Sequence, residues 1–167
     1  MSEEEEIFSS SMKYTGIFLF KDFYIFSYTW EGEEIGLNIS EDKYEEKIIG
    51  DAKNILVEWT GVRKVTDYFQ FKIKTKFEVS KLKDIELVKD GKKEKMNEGQ
   101  IKITIKGTLI RDHQGKFETS GFQKFLRGYY EKWIIPSRID QFEEKLAGDC
   151  NDLMEQIKAY LALEGKK

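Results

Sequence analysis

The chain has 167 residues, 40% of them apolar and 35% charged, with a formal net charge of −3. That balance describes a soluble globular chain long enough to bury a core, and it excludes a disordered polar polymer. Cys150 is the single cysteine, so an internal disulfide is excluded and nothing points to secretion.

Ser2 is followed by four consecutive glutamates, the opposite of a signal peptide's basic start. The longest clean apolar run, Ile17 to Phe20, is too short to cross a bilayer. The expected compartment is the cytoplasm. Charge is unevenly spread: residues 1–50 carry 4 Lys/Arg against 12 Asp/Glu, whereas residues 51–117 carry 16 against 10.

In chain order, residues 1–11 are acidic and serine-rich and read as a disordered tail, leaving 12–167 as a single α+β domain. "MKYTGIFLF" (12–20) reads as a first strand. Asp22 stands where a helix N-cap is expected, and Phe23, Phe26 and Trp30 mark one face of a short helix ending near Gly32.

From 36 to 110 the apolar period falls to two. Tyr44, Glu46 and Ile48 form one such row, and Ile55, Val57 and Trp59 another. Phe69, Phe71, Ile73, Thr75, Phe77 and Val79 oppose Gln70, Lys72, Lys74, Lys76 and Glu78. Ile85 and Leu87 follow, then an Asp-Gly hairpin turn in "KDGK" (89–92), then Ile101, Ile103, Ile105 and Leu109 against Lys102 and Lys106. One greasy and one wet face per strand is the pattern of an antiparallel sheet covered on one side. Gly61 suggests a bulge, and Gly107 a bend or a close approach.

After 118 the period becomes helical. Ser120 and Gln123 form a capping box ahead of an apolar face made by Phe122, Phe125, Leu126, Tyr129, Tyr130 and Trp133. Pro136 interrupts, and Ile139, Phe142, Leu146, Leu153, Ile157, Tyr160 and Leu161 continue as a long amphipathic helix to about 163.

The expected fold is therefore α+β: a curved antiparallel sheet of about six or seven strands packed on a long C-terminal helix, with a short helix after strand one. This element order, over residues 12–163, resembles the helix-grip fold of the START-like superfamily, which includes the plant pollen-allergen and polyketide-cyclase-like families. The sequence departs from that pattern in having one short helix after the first strand instead of two, and in the division of the last helix by Pro136. The resemblance implies a cavity between sheet and C-terminal helix that holds an apolar ligand. A small barrel capped by a helix is the alternative.

Catalytic chemistry is poorly represented. The lone His113, in "RDHQG", has no nucleophile or rigidly held carboxylate as partner and reads as a solvated turn residue. Cys150 falls on the apolar stripe of the last helix and reads as a small buried thiol. One His and one Cys exclude a zinc site, and neither a P-loop nor a dinucleotide-binding glycine motif is present. The sequence implies no cofactor and a non-enzymatic role.

Two candidate surfaces follow. The first is a ligand-binding set on the greasy face: Trp59, Phe71, Thr75, Tyr130 and Trp133, with Glu46 pointing inward and Arg63 as its partner. The competing reading fills a solid core with these aromatics and leaves Glu46 and Arg63 exposed at a sheet edge. The second is the lysine row, Lys72, Lys74 and Lys76 with Lys102 and Lys106, a field for nucleic acid or another anionic surface. It lacks the interleaved aromatics of base-stacking sheets, and lysine also guards exposed strands from pairing, so solubility is the preferred reading. The functional expectation is a module that binds an apolar small ligand or lipid. The alternatives are an anionic-surface binder and an interaction protein using its C-terminal amphipathic helix.

Overall fold

The computed structural model describes residues 3–113, 121–129, 132 and 136–165. Its elements are β1 (Glu3–Phe18), α1 (Phe20–Thr29) prolonged by a π-helical turn (Trp30–Glu34), β2 (Asn38–Ile49), β3 (Ala52–Lys64), β4 (Phe69–Lys89), β5 (Lys92–Arg111), α2 (Gly121–Tyr129) and α3 (Pro136–Glu164). The five strands form one antiparallel sheet in the order β1-β5-β4-β3-β2.

The strand count corrects the expectation of six or seven. Residues 69–79 and 85–87 belong to one strand of 21 residues, β4, which bends at Lys81 instead of ending. Lys81 has a positive φ of 55°, and register slips there between Ser80 and Lys83. The backbone N–H that the bulge frees is satisfied by Asn54 Oδ1 at 3.0 Å, from a matching irregularity in β3. Such bulges increase local twist and bend a sheet. The β4–β5 hairpin turns at Asp90 and Gly91, both at positive φ, as the Asp-Gly pair requires.

Residues 3–11 are not a disordered tail. They are the first part of β1, paired from Glu3↔Arg111 to Phe18↔Asn97 along the edge of β5. Phe8, Ser10, Met12 and Tyr14 share the inner face, an alternation that serines obscure in the sequence. The glutamates meet cations: Glu5 accepts from Arg111 at 2.6 Å, and Glu4 from Lys72 at 3.2 Å.

The core-forming residues expected on β5, and on β4 as far as Val79, lie on one face, whereas Ile85 and Leu87, beyond the bulge, are only half-buried. Phe69, Phe71, Ile73, Phe77, Ile101, Ile103, Ile105 and Leu109 are buried. Helix α3 covers the β1–β5 part of that face with Leu146, Cys150, Leu153, Ile157 and Leu161, and Phe142 reaches the Phe69 ring at 4.9 Å. Pro136 opens this helix, where its missing N–H costs nothing.

Gly107 is a close approach: a Cβ there would lie 2.7 Å from Cys150 Sγ. Gly61 is not a bulge, because register runs through it unbroken. It leaves room for Leu37, whose side chain would come within 2.8 Å of an added Cβ.

Helix α1 covers the β3–β4 part of the same face. Asp22 is not its N-cap; the first turn begins two residues earlier. Leu19, at the cap position, has no capping side chain, and Asn97 of β5 supplies the acceptor instead. Its Oδ1 takes the Phe20 N–H at 3.0 Å, while its Nδ2 donates to Asp84 at 2.7 Å. A sheet residue thus does the work of a local cap.

Candidate functional site

Among the described residues, the sequence-derived ligand set does not line a common cavity. Trp59, Phe71 and Thr75 are 1–2% exposed and lie within packed core. Phe77 and Tyr24 each stand 5.0 Å from Trp59 in edge-to-face contact, and Phe142 packs on Phe71. Tyr130 and Trp133 lie outside the described residues.

Glu46 and Arg63 do not pair. Glu46 faces Ile55 across β2–β3, eight residues along β3 from Arg63, roughly 25 Å at strand rise. Glu46 sits on the exposed edge strand, accepting from Tyr44 Oη at 2.8 Å with Lys53 Nζ 3.8 Å away. Arg63 donates to the Ile35 carbonyl at 3.0 Å, tying the π-helical turn to the sheet. The inward direction of the Glu46 row was legible. Its exposure was not, because burial depends on where the covering helix stops.

That stop leaves a concavity at the end of the sheet. Between α1 and the far end of the sheet lies an open cleft of about 540 Å³. Phe20, Tyr24 and Ile25 of α1 form one wall, and Tyr44 and Leu82 the other, with Asp84 and Asn97 at one end and Glu46 and Lys53 beside Tyr44. Ile25 and Tyr44 are exposed.

The cleft's tyrosines are held by carboxylates. Tyr24 Oη donates to Glu41 Oε2, which also accepts from Trp59 Nε1 at 3.1 Å. Burial first, then Glu41, pushes the Tyr24 phenol up to about 12. Burial and then Glu46 do the same to Tyr44. Both phenols therefore stay protonated donors and are unsuited to act as bases near neutral pH. The arrangement offers aromatic faces for an apolar group and polar ends that can orient it.

Beneath α1 the sequence reading missed a buried acid. Glu31, 1% exposed, accepts a hydrogen bond from Thr75 Oγ1, while its Oε2 and the nearby helix residue Ser27 Oγ have no partner among the described residues. Burial pushes the Glu31 carboxyl up to about 8, with Thr75 opposing. The signal was present: Phe23, Ser27 and Glu31 recur every four residues and are the helix's buried row. Phe26 and Trp30, taken as core positions from their apolar character, are half-buried, and Phe26 stacks on Tyr160 at 4.5 Å.

His113 is not free in solvent. Its Nε2 lies 2.9 Å from the Thr66 carbonyl, so it carries the proton and donates, pinning the β3–β4 loop. Cys150 is buried, and burial followed by Asp149 and Glu31 pushes its thiol up to about 12. That is the setting of an inert core thiol.

The lysines lie on the outer face, as their alternation requires. Lys72 is bonded to Glu4, and Lys76 lies near Glu78 at 3.4 Å and Glu58 at 3.9 Å. Lys74 faces Lys106 directly across β4–β5, and Lys102 faces Glu78. A shallow groove of about 390 Å³ crosses this face, with Asp42, Glu58 and Glu78 among the lysines. The field is thus interrupted by carboxylates.

No group of His, Cys, Asp and Glu among the described residues could hold a metal ion. No helix among them is long and apolar enough to cross a membrane. Compared with known proteins, the chain matches no family, no curated protein and no solved structure.

Proposed function

We propose that the protein is a small-molecule binding module whose ligand lies in the cleft between α1 and the sheet. The observation that carries this reading is the cleft itself. Its volume of about 540 Å³ falls in the range of small-ligand sites, and it is walled by aromatic and aliphatic side chains with polar groups at its ends. An apolar ligand of aromatic size fits Phe20, Tyr24, Tyr44 and Leu82. Binding is favoured over catalysis because the cleft's phenols stay protonated and its carboxylates, Glu46 and Asp84, already accept hydrogen bonds from Tyr44 and Asn97.

A curved sheet gripped by a C-terminal helix supports the helix-grip reading of the fold. The ligand, however, belongs beside α1, because α3 is closely packed on β5 at Gly107. The carboxylates among the outer lysines support solubility as the role of that face.

Titration with N-phenyl-1-naphthylamine tests the proposal. Saturable probe fluorescence, weakened roughly ten-fold by Ile25→Arg, is expected, since Ile25 is exposed on the cleft wall and a charge there must be desolvated by the ligand. Absence of saturable binding to the wild type, at a melting temperature showing it folded, refutes it.

A further inference from the structure

The cleft beside α1 holds more free acceptors than free neutral donors, and that imbalance bears on the charge of its ligand. The hydroxyls of Tyr24 and Tyr44 are spent, one on Glu41 and the other on Glu46 at 2.8 Å. Asn97 is engaged at both ends: its Oδ1 takes the Phe20 N–H at 3.0 Å, and its Nδ2 donates to Asp84 at 2.7 Å. The carboxylates are not used up, since each offers about four lone-pair sites. Asp84 is exposed, receives that one hydrogen bond and has no ion pair among the described residues. Glu46 accepts from Tyr44, with Lys53 Nζ no nearer than 3.8 Å.

The aromatic rings favour the same sign of charge. Tyr24 stands at a corner, its ring 6.2 Å from that of Phe20 at 58° and 6.3 Å from that of Tyr44 at 79°. Rings set steeply about a common corner can turn their electron-rich faces to one enclosed group, and such faces attract a cation. Phe20 and Asp84 belong to the same end of the cleft, because Asn97 holds both. A positive group at that end meets a ring and an unpaired carboxylate together.

The two lysines that border the cleft do not reverse this. Lys53 is turned toward Glu46, and Lys21 is exposed, where water screens its charge. An anionic ligand would lie against Asp84 and Glu46 with only those two ammonium groups to offset them.

We propose that the ligand of this cleft is an arylalkylammonium, its protonated nitrogen between Phe20 and Asp84 and its apolar body along Tyr24, Leu82 and Tyr44. The proposal rests on the cleft being the binding site and adds the ligand's charge and orientation.

The test is displacement of N-phenyl-1-naphthylamine from the full chain near pH 7 by three compounds of similar size and different charge. These are phenethylamine, a cation at that pH as alkylamines are, 2-phenylethanol, which is neutral, and phenylacetate, an anion. Phenethylamine is expected to displace the probe at roughly five-fold lower concentration, or less, than either of the others. Asp84→Asn keeps an acceptor for Asn97 but carries no charge, and it should bring the ratio of phenethylamine to phenylethanol close to one. If the folded wild type does not bind the probe, the cleft reading falls and this proposal with it. If the probe binds but phenethylamine displaces it no better than phenylethanol, or phenylacetate displaces it best, the cleft stands and the cationic ligand is overturned. A preference for the amine that survives Asp84→Asn unchanged overturns the placement of the nitrogen, and so the proposal.

Discussion

Gly107 of β5 lies directly beneath Cys150 of α3, so close that a methyl group on the glycine would stand 2.7 Å from the sulfur. Helix and sheet are therefore in contact at backbone distance, and the glycine is there for space; its φ is not in the left-handed region. Gly107→Ala is expected to cost roughly 1–3 kcal/mol by overpacking. In a Cys150→Ala background the same change should cost clearly less, a coupling that a double-mutant cycle in urea would measure. Additive costs would show that the two positions do not touch.

Glu31 makes stability fall as pH rises. Its folded carboxyl titrates at about 8 against 4.5 in the unfolded chain, so the folded state holds its proton more tightly. The resulting stability is complete below pH 4.5 and is lost as pH rises through about 8. By pH 8 the loss is on the order of 4 kcal/mol. Glu31→Gln keeps an acceptor for Thr75 and has no charge to bury. Its melting temperature should hold between pH 5 and pH 8 while that of the wild type declines. Parallel profiles would place Glu31 in water.

Asn97 organises the start of α1 from a distance. Asn97→Ala removes the acceptor for the Phe20 N–H and leaves Asp84 without its amide partner. The expected cost is about 1–2 kcal/mol. Hydrogen exchange at Phe20 should rise more than at the β5 core, and uniform exchange would contradict a local capping role.

What the sequence made legible was the alternation of β3, β4 and β5 and the stripe of α3, because each is buried on one side and polar on the other. Three features escaped for identifiable reasons. Strand β1 hides its inner row behind serines and a run of glutamates, whose partners Lys72 and Arg111 come from β4 and β5. Strand β4 passes through Lys81 by a bulge, which breaks its period without ending it. Glu31 and Asn97 are polar residues doing buried work, and a rule that places polar side chains outside overlooks them. The candidate site was legible only through Glu46, since the cleft exists where α1 stops covering the sheet.

Lys72, Lys74 and Lys76 should prove inessential to stability. Changing all three to glutamine removes exposed pairs that contribute roughly 0–1 kcal/mol each. The melting temperature should hardly move, while self-association rises as the outer face loses its charge. Light scattering against concentration measures this. A gel shift of the wild type with RNA at ~150 mM salt, lost in the triple variant, would instead make those lysines a binding site.

The cleft is tested most directly by ¹H–¹⁵N spectra of the full chain titrated with N-phenyl-1-naphthylamine. The expected perturbations cluster at Phe20, Tyr24, Tyr44 and Leu82 and saturate together, with Ile103 and Ile105 beneath α3 unmoved. Perturbations centred on Ile103, Ile105 and Cys150 would put the ligand between sheet and C-terminal helix and contradict the assignment to the α1 cleft.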